Sequence, residues 1–318
     1  MDVESIKAHV LALPELAAWP EIAALAESAG NKPRPDWELP LLACQAVGGD
    51  ASVAIPGAAA IACMQISIIL VDDMLDEDPR GVHLRHGAGP TANMALAFQA
   101  AAFRVIEQSA VSESRRAAIT ASLAWMALTT ALGQHQDVQN PSVEDEYWKM
   151  VRTKSTPFYR AALHVGALLG NASDEVAEGL RTLGVPIGEI IQIRDDLFDA
   201  FQSPANPDWT RGRANLPILY ARIADHPDRA RFVGLLPQCG DPQALREAQQ
   251  ILIRCGAVSY CAYHLTKRRQ QAEQLQKAIP LADPAPIADL ITRQMQPLEK
   301  LLRAGGVENP EELMDLSL

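Results

Sequence analysis

Apolar and polar positions along this chain recur with the period of a helix, and the pattern breaks where proline and glycine cluster. Residues 3–29 read as amphipathic helix interrupted near Pro14 and Pro20 and closing at Ala29-Gly30, which suits a C-terminal stop. A loop, Asn31-Lys32-Pro33-Arg34-Pro35, leads into the apolar segment 39–47, and its prolines fix an extended path carrying two cations. After Gly48-Gly49 the stretch 51–71 holds no charged residue, so a buried helix is expected there. Pro56-Gly57, Gln65 and Ser67 leave too short an apolar run to span a membrane.

The segment 78–87 is polar, basic and glycine-rich and reads as a flap. Its His83 and His86 have no third ligand nearby in sequence, so we read them as loop residues. Helices are expected at 91–108 and 114–132, and another after Pro141-Ser142, where Glu144, Asp145 and Glu146 suit the positive end of the dipole. Pro157 removes an N–H and predicts a bend at Lys154-Ser155-Thr156. A helix over 180–200 follows, then a C-terminal third broken near Pro227, Pro237, Pro242 and Pro280, in which Lys267-Arg268-Arg269 reads as a solvated face. Strand alternation, a glycine-rich phosphate loop and a tandem repeat are all missing from the pattern. The expectation is an all-α fold in one domain over residues 1–318.

Two apolar stretches end in the same way. Asp72-Asp73-Met74-Leu75-Asp76 closes the first and Asp195-Asp196-Leu197-Phe198-Asp199 the second. Residues four apart share a helix face, so Asp72 projects with Asp76 and Asp195 with Asp199. Like charges at that spacing cost roughly 0.2–0.5 kcal/mol per pair when exposed, and more where water is excluded. A divalent cation offsets that cost, and magnesium in particular takes one or two carboxylates plus substrate phosphates. One such cluster reads as a solvated helix end; two with the same spacing read as a metal clamp on a diphosphate.

Composition narrows the partners. A net charge of -11 excludes a nucleic-acid backbone as the natural ligand. Five cysteines without a CxxC pair suit a reducing cytoplasm. The opening Met1-Asp2-Val3-Glu4 lacks the pattern of a signal peptide, so a cytoplasmic protein without a transmembrane segment is expected.

Taken together these motifs resemble the trans-prenyltransferases, the isoprenyl diphosphate synthases that include farnesyl and geranylgeranyl diphosphate synthases. Asp72 to Asp76 is similar to the family's first DDxxD motif, and Gln192 followed by Asp195 to Asp199 to the second. Lys154-Ser155 resembles the Lys-Thr pair that holds the allylic diphosphate, Gly133-Gln134 with Asp137 a GQxxD segment, and Gly212-Arg213 with Leu216-Pro217 the GKxTLP stretch with arginine for lysine. The second-substrate site departs further. Lys32-Pro33-Arg34-Pro35 is one residue shorter than GKxxRP, Gln65 stands where histidine is usual, and Pro79-Arg80-Gly81 has one arginine for two.

The resemblance implies a helical bundle with a central cavity, a homodimer, and a magnesium-dependent head-to-tail condensation. Metal would be held by Asp72, Asp76 and Asp195, helped through water by Asp73, Asp196 and Asp199. The allylic diphosphate would meet Arg80, Lys154, Ser155, Gln192 and Arg213, and isopentenyl diphosphate would meet Lys32, Arg34, Gln65 and Arg80. Product length would follow Met64, Ser67 and Ile68 with Met94 and Phe98; no aromatic residue stands four or five positions before the first motif, which predicts a product of geranylgeranyl size or longer. The departures motivate an alternative, an enzyme ionising one prenyl diphosphate without isopentenyl diphosphate, as terpene synthases do. A silent partner subunit fits poorly, because both aspartate motifs are intact.

Overall fold

The structure is a computed structural model that describes residues 3–30 and 34–304, with Lys32 outside the described residues. Helix is the regular structure throughout the described residues, and the chain is all-α as expected. It divides into two compact units, Met1–Thr130 with Pro157–Val185 and Leu275–Ala288, and Ala131–Thr156 with Pro186–Gln274 and Asp289–Leu318.

In the first unit the prolines start helices. Val3–Leu11 is followed by Pro14–Ala17 and Pro20–Gly30, each with proline in the first turn, where its missing N–H costs nothing. The helix Ile55–Leu75 runs through the core, against Val3–Leu11, Leu39–Ala46 and, most extensively, Ala88–Glu107. Its alanines at 58, 59, 60 and 62 are fully covered, so small side chains let neighbouring helices approach closely. Although long and apolar enough to cross a membrane, its most apolar window is 67% buried, which marks a core helix. The flap is more ordered than the pattern suggests: His83–His86 forms one helical turn closed by Gly87 at φ 86.

The second unit carries the helix Glu144–Lys154 and the second motif at the end of Asp174–Ala200. Tyr147, Ile190, Ile193, Leu197, Leu216 and Leu265 gather there in one apolar cluster. Helix Glu113–Val138 runs six residues past the expected end at 132, through Gly133. Asp174–Ala200 likewise starts before residue 180 and contains Pro186.

The expectation for the basic run fails. Lys267 is exposed, but Arg268 is buried at 6% exposure. Its Nε donates to Glu189 at 2.9 Å, and its guanidinium stacks 4.0 Å from the centre of the Trp148 ring. The run is a solvated face only in part, because a helix turns 100° per residue and its middle member points into the core.

Candidate active site

The first motif closes the Ile55–Leu75 helix. Asp76 is its C-cap and donates its N–H to the Asp72 carbonyl at 2.9 Å. Asp72, Asp73 and Asp76 are all half-buried. Burial, and then the neighbouring carboxylates of Asp78 and Asp72, push the Asp73 carboxyl up to about 6. Beyond the motif, Arg80 forks onto Asp78, with Nε at 3.0 Å and Nη2 at 2.7 Å, and holds Asp78 below the usual carboxylate range. The Arg80 side chain is 83% exposed.

The second motif separates its two adjacent aspartates. Asp195 is exposed and accepts from Arg194 at 3.0 and 3.1 Å, while Asp199 is half-buried and accepts from Gln202 at 2.7 Å. Asp196 points inward and is 3% exposed. Its Oδ2 accepts from the Tyr147 hydroxyl at 2.6 Å and the Leu216 N–H at 2.8 Å, and its Oδ1 accepts from Gln192 Nε2 at 2.7 Å. Burial pushes the Asp196 carboxyl up to about 8, against the pull of those hydrogen bonds. This is not the water-facing position that a water-mediated metal contact needs.

Lys154 Nζ donates to Asp137 Oδ2 at 2.6 Å. Gly133 makes the approach possible, because a Cβ there would lie 2.2 Å from the Lys154 nitrogen. Helix Glu144–Lys154 ends at the expected bend, with Ser155 as its C-cap donating its hydroxyl to Gln192 Oε1. Arg213 follows Gly212, which takes φ 67, at the entrance to helix Leu216–Ile223.

Sequence reasoning passed over Asp208. Burial pushes its carboxyl up to about 7, with Asp199 and Asp137 adding to the rise, while Asn215 donates to it at 2.8 Å. Asp208 sits in the first turn of a short helix, Pro207–Thr210, capped by Asn206; the Asn206-Pro207-Asp208 signature was the available signal.

Elsewhere in the first unit, Gln65 is engaged. Its Oε1 accepts from Trp37 Nε1 at 2.7 Å and its Nε2 donates to Asp36 at 2.9 Å. Arg34 Nε donates to the Ala29 carbonyl at 3.0 Å. Met64, Ser67, Met94 and Phe98 are buried and Ile68 is half-buried.

A profile of the polyprenyl synthetase family matches residues 22–252. The chain belongs to the polyprenyl synthetase family. A short chain isoprenyl diphosphate synthase of Methanothermobacter thermautotrophicus is 28% identical over 84% of this chain and 87% of its own. Among solved structures, the geranylgeranyl pyrophosphate synthetase of Pyrococcus horikoshii superposes with TM-score 0.80 at 22% identity, covering 93% of this chain and 95% of that one. The Caulobacter crescentus polyprenyl synthase, solved with calcium and isoprenyl diphosphate, gives TM-score 0.75 at 21% identity, covering 91% and 96%. These likenesses extend the polyprenyl synthetase fold over nearly the whole chain.

Proposed function

We propose that the protein joins an allylic prenyl diphosphate to isopentenyl diphosphate, head to tail and with magnesium, releasing a product of geranylgeranyl length or longer. The observation that carries this reading is the second-motif helix. Asp195 and Asp199 turn carboxylates outward, while Gln192, one turn earlier, meets Ser155 beside Lys154.

The donor set suits the metal. Among the described residues no three Asp, Glu, His or Cys side chains already form a cage. Carboxylates standing one or two to a helix end are what magnesium takes when phosphate oxygens and water complete its shell. Bound through Asp72 and Asp76, and through Asp195 and Asp199, it would neutralise the diphosphate as the carbon–oxygen bond breaks. Lys154, Arg213 and Arg80 would bind the leaving diphosphate. Gln192 and Ser155 face the allylic carbon with oxygen dipoles. The double bond of isopentenyl diphosphate, oriented by Arg34, Lys32 and Gln65, attacks that carbon, and the departing diphosphate takes the proton.

Incubating each allylic diphosphate with magnesium, with and without isopentenyl diphosphate, tests the proposal. A second reading, ionisation of one prenyl diphosphate alone, draws support from Gln65, whose amide is held by Asp36 and Trp37. Hydrocarbon or alcohol released without isopentenyl diphosphate would establish it. Under the condensation reading, Gln65→His is expected to lower KM for isopentenyl diphosphate about tenfold, the worth of one hydrogen bond to a charged group. An unchanged KM removes Gln65 from that site.

Chain length is set by what closes the pocket. Phe98 is fully buried on the helix that packs along Ile55–Leu75, so Phe98→Ala, which opens a ring-sized void, is expected to lengthen the product by at least one five-carbon unit. Chromatography of the extracted products reads this directly, and an unchanged length moves the floor elsewhere. The proposal includes a homodimer in the cytoplasm. Leu96 and Leu128, 64% and 75% exposed, suit a covered face, and light scattering measures the mass.

A further inference from the structure

The middle aspartate of the second motif has a different job from its neighbours. We propose that Asp196 is a positioning residue that fixes which end of the Gln192 amide faces the reacting carbon. The inference rests on the reading of Ser155 and Gln192 as the groups beside that carbon.

An amide side chain presents a carbonyl oxygen at one end and N–H donors at the other, and its surroundings decide which end points where. Here the hydrogen bonds make the choice. Tyr147, Leu216 and Gln192 all donate to Asp196, and a carboxylate accepts from all three at once. With Nε2 held by Asp196, the Gln192 carbonyl oxygen turns to the Ser155 hydroxyl. The dipole offered at Ser155 is therefore negative toward substrate, the sign that stabilises a developing allylic cation. Tyr147 is fully buried and the Leu216 N–H is fixed by the backbone, so the assembly is set before substrate arrives.

The substitution Asp196→Asn reverses the arrangement by a definite route. The Leu216 N–H can only donate, so the oxygen of the new amide must occupy the Oδ2 position. Its NH2 then falls at the Oδ1 position, against the Gln192 Nε2 donors. Gln192 must flip, presenting N–H groups toward Ser155 and the cation. Adding Gln192→Glu repairs this, because one carboxylate oxygen accepts from the new amide NH2 and the other restores an acceptor at Ser155.

The test compares Asp196→Asn with the double variant Asp196→Asn, Gln192→Glu, assayed beside the unsubstituted protein with prenyl diphosphates and magnesium. Asp196→Asn is expected to lose about a hundredfold in kcat, as when one preorganised electrostatic contact is removed. Its KM for allylic diphosphate and its magnesium activation constant should stay within about threefold, and the double variant should recover at least about tenfold of kcat. Full kcat in Asp196→Asn, or a large rise in its magnesium requirement, overturns the proposal, as does a folded double variant no faster than the single one. If Asp196→Asn does not fold, the double variant carries the test alone. Every donor there again meets an acceptor, so kcat within about tenfold of the unsubstituted protein is expected, and a hundredfold loss overturns it. Turnover by the unsubstituted protein, measured in parallel, separates these outcomes from a failure of the prenyltransferase reading.

Discussion

Replacing Asp72 or Asp195 with alanine is expected to lower kcat about a thousandfold, ~4 kcal/mol of transition-state stabilisation. Substitution is felt in full because no adjacent carboxylate can take over. Next to Asp72, Asp73 lies about 100° further round the helix and is half-buried. Next to Asp195, Asp196 is turned inward onto Tyr147, Gln192 and Leu216. The fold should be untouched, since Asp195 is exposed and Asp72 half-buried, and thermal melting within about 1 °C of the unsubstituted protein would show it. Residual turnover should climb with magnesium concentration. Full turnover in either alanine variant would sink the metal–diphosphate reading.

Much of this was legible from local chemistry. The prolines at 14 and 20, the uncharged stretch before Asp72 and the bend at Ser155 each act over a turn or two of helix, and the structure places them as the pattern says. Contacts distant in sequence were not legible. Gln65 reads as an available donor until Trp37 and Asp36, 28 and 29 residues earlier, are seen to hold both ends of its amide. Asp196 reads as equivalent to Asp195 until Tyr147, 49 residues away, is seen beneath it. A signal did exist for that pair, because neighbours on a helix lie 100° apart and cannot both face outward. Arg268 also had one: it continues the buried line of Cys261, Leu265 and Ala272. Counting charges hid what helical register would have shown.

Arg268→Ala is expected to destabilise the protein by about 3 kcal/mol, because breaking one side of a buried ion pair strands the other. Glu189 is 3% exposed and accepts from Arg268 at 2.9 Å and from Arg152 at 2.8 Å. Arg152 is 58% exposed, so its charge is shared with water and compensates a buried carboxylate poorly. The substitution also removes the guanidinium from the Trp148 face and from His264, which it contacts at 2.6 Å. A melting temperature lower by roughly 5–10 °C should follow for a chain of this size, while Lys267→Ala, one residue away and exposed, should stay within about 1 °C. Removing both charges, as Glu189→Gln with Arg268→Met, should recover part of the loss, since a buried pair is replaced at smaller cost than it is broken. Glu189 lies on the second-motif helix, six residues before Asp195. Loss of its partner should therefore loosen the helix that carries Gln192 and Asp195, and kcat should fall at temperatures where the fold is still intact. If Arg268→Ala melts with the unsubstituted protein, Arg152 alone satisfies Glu189 and the buried arginine contributes nothing measurable to stability.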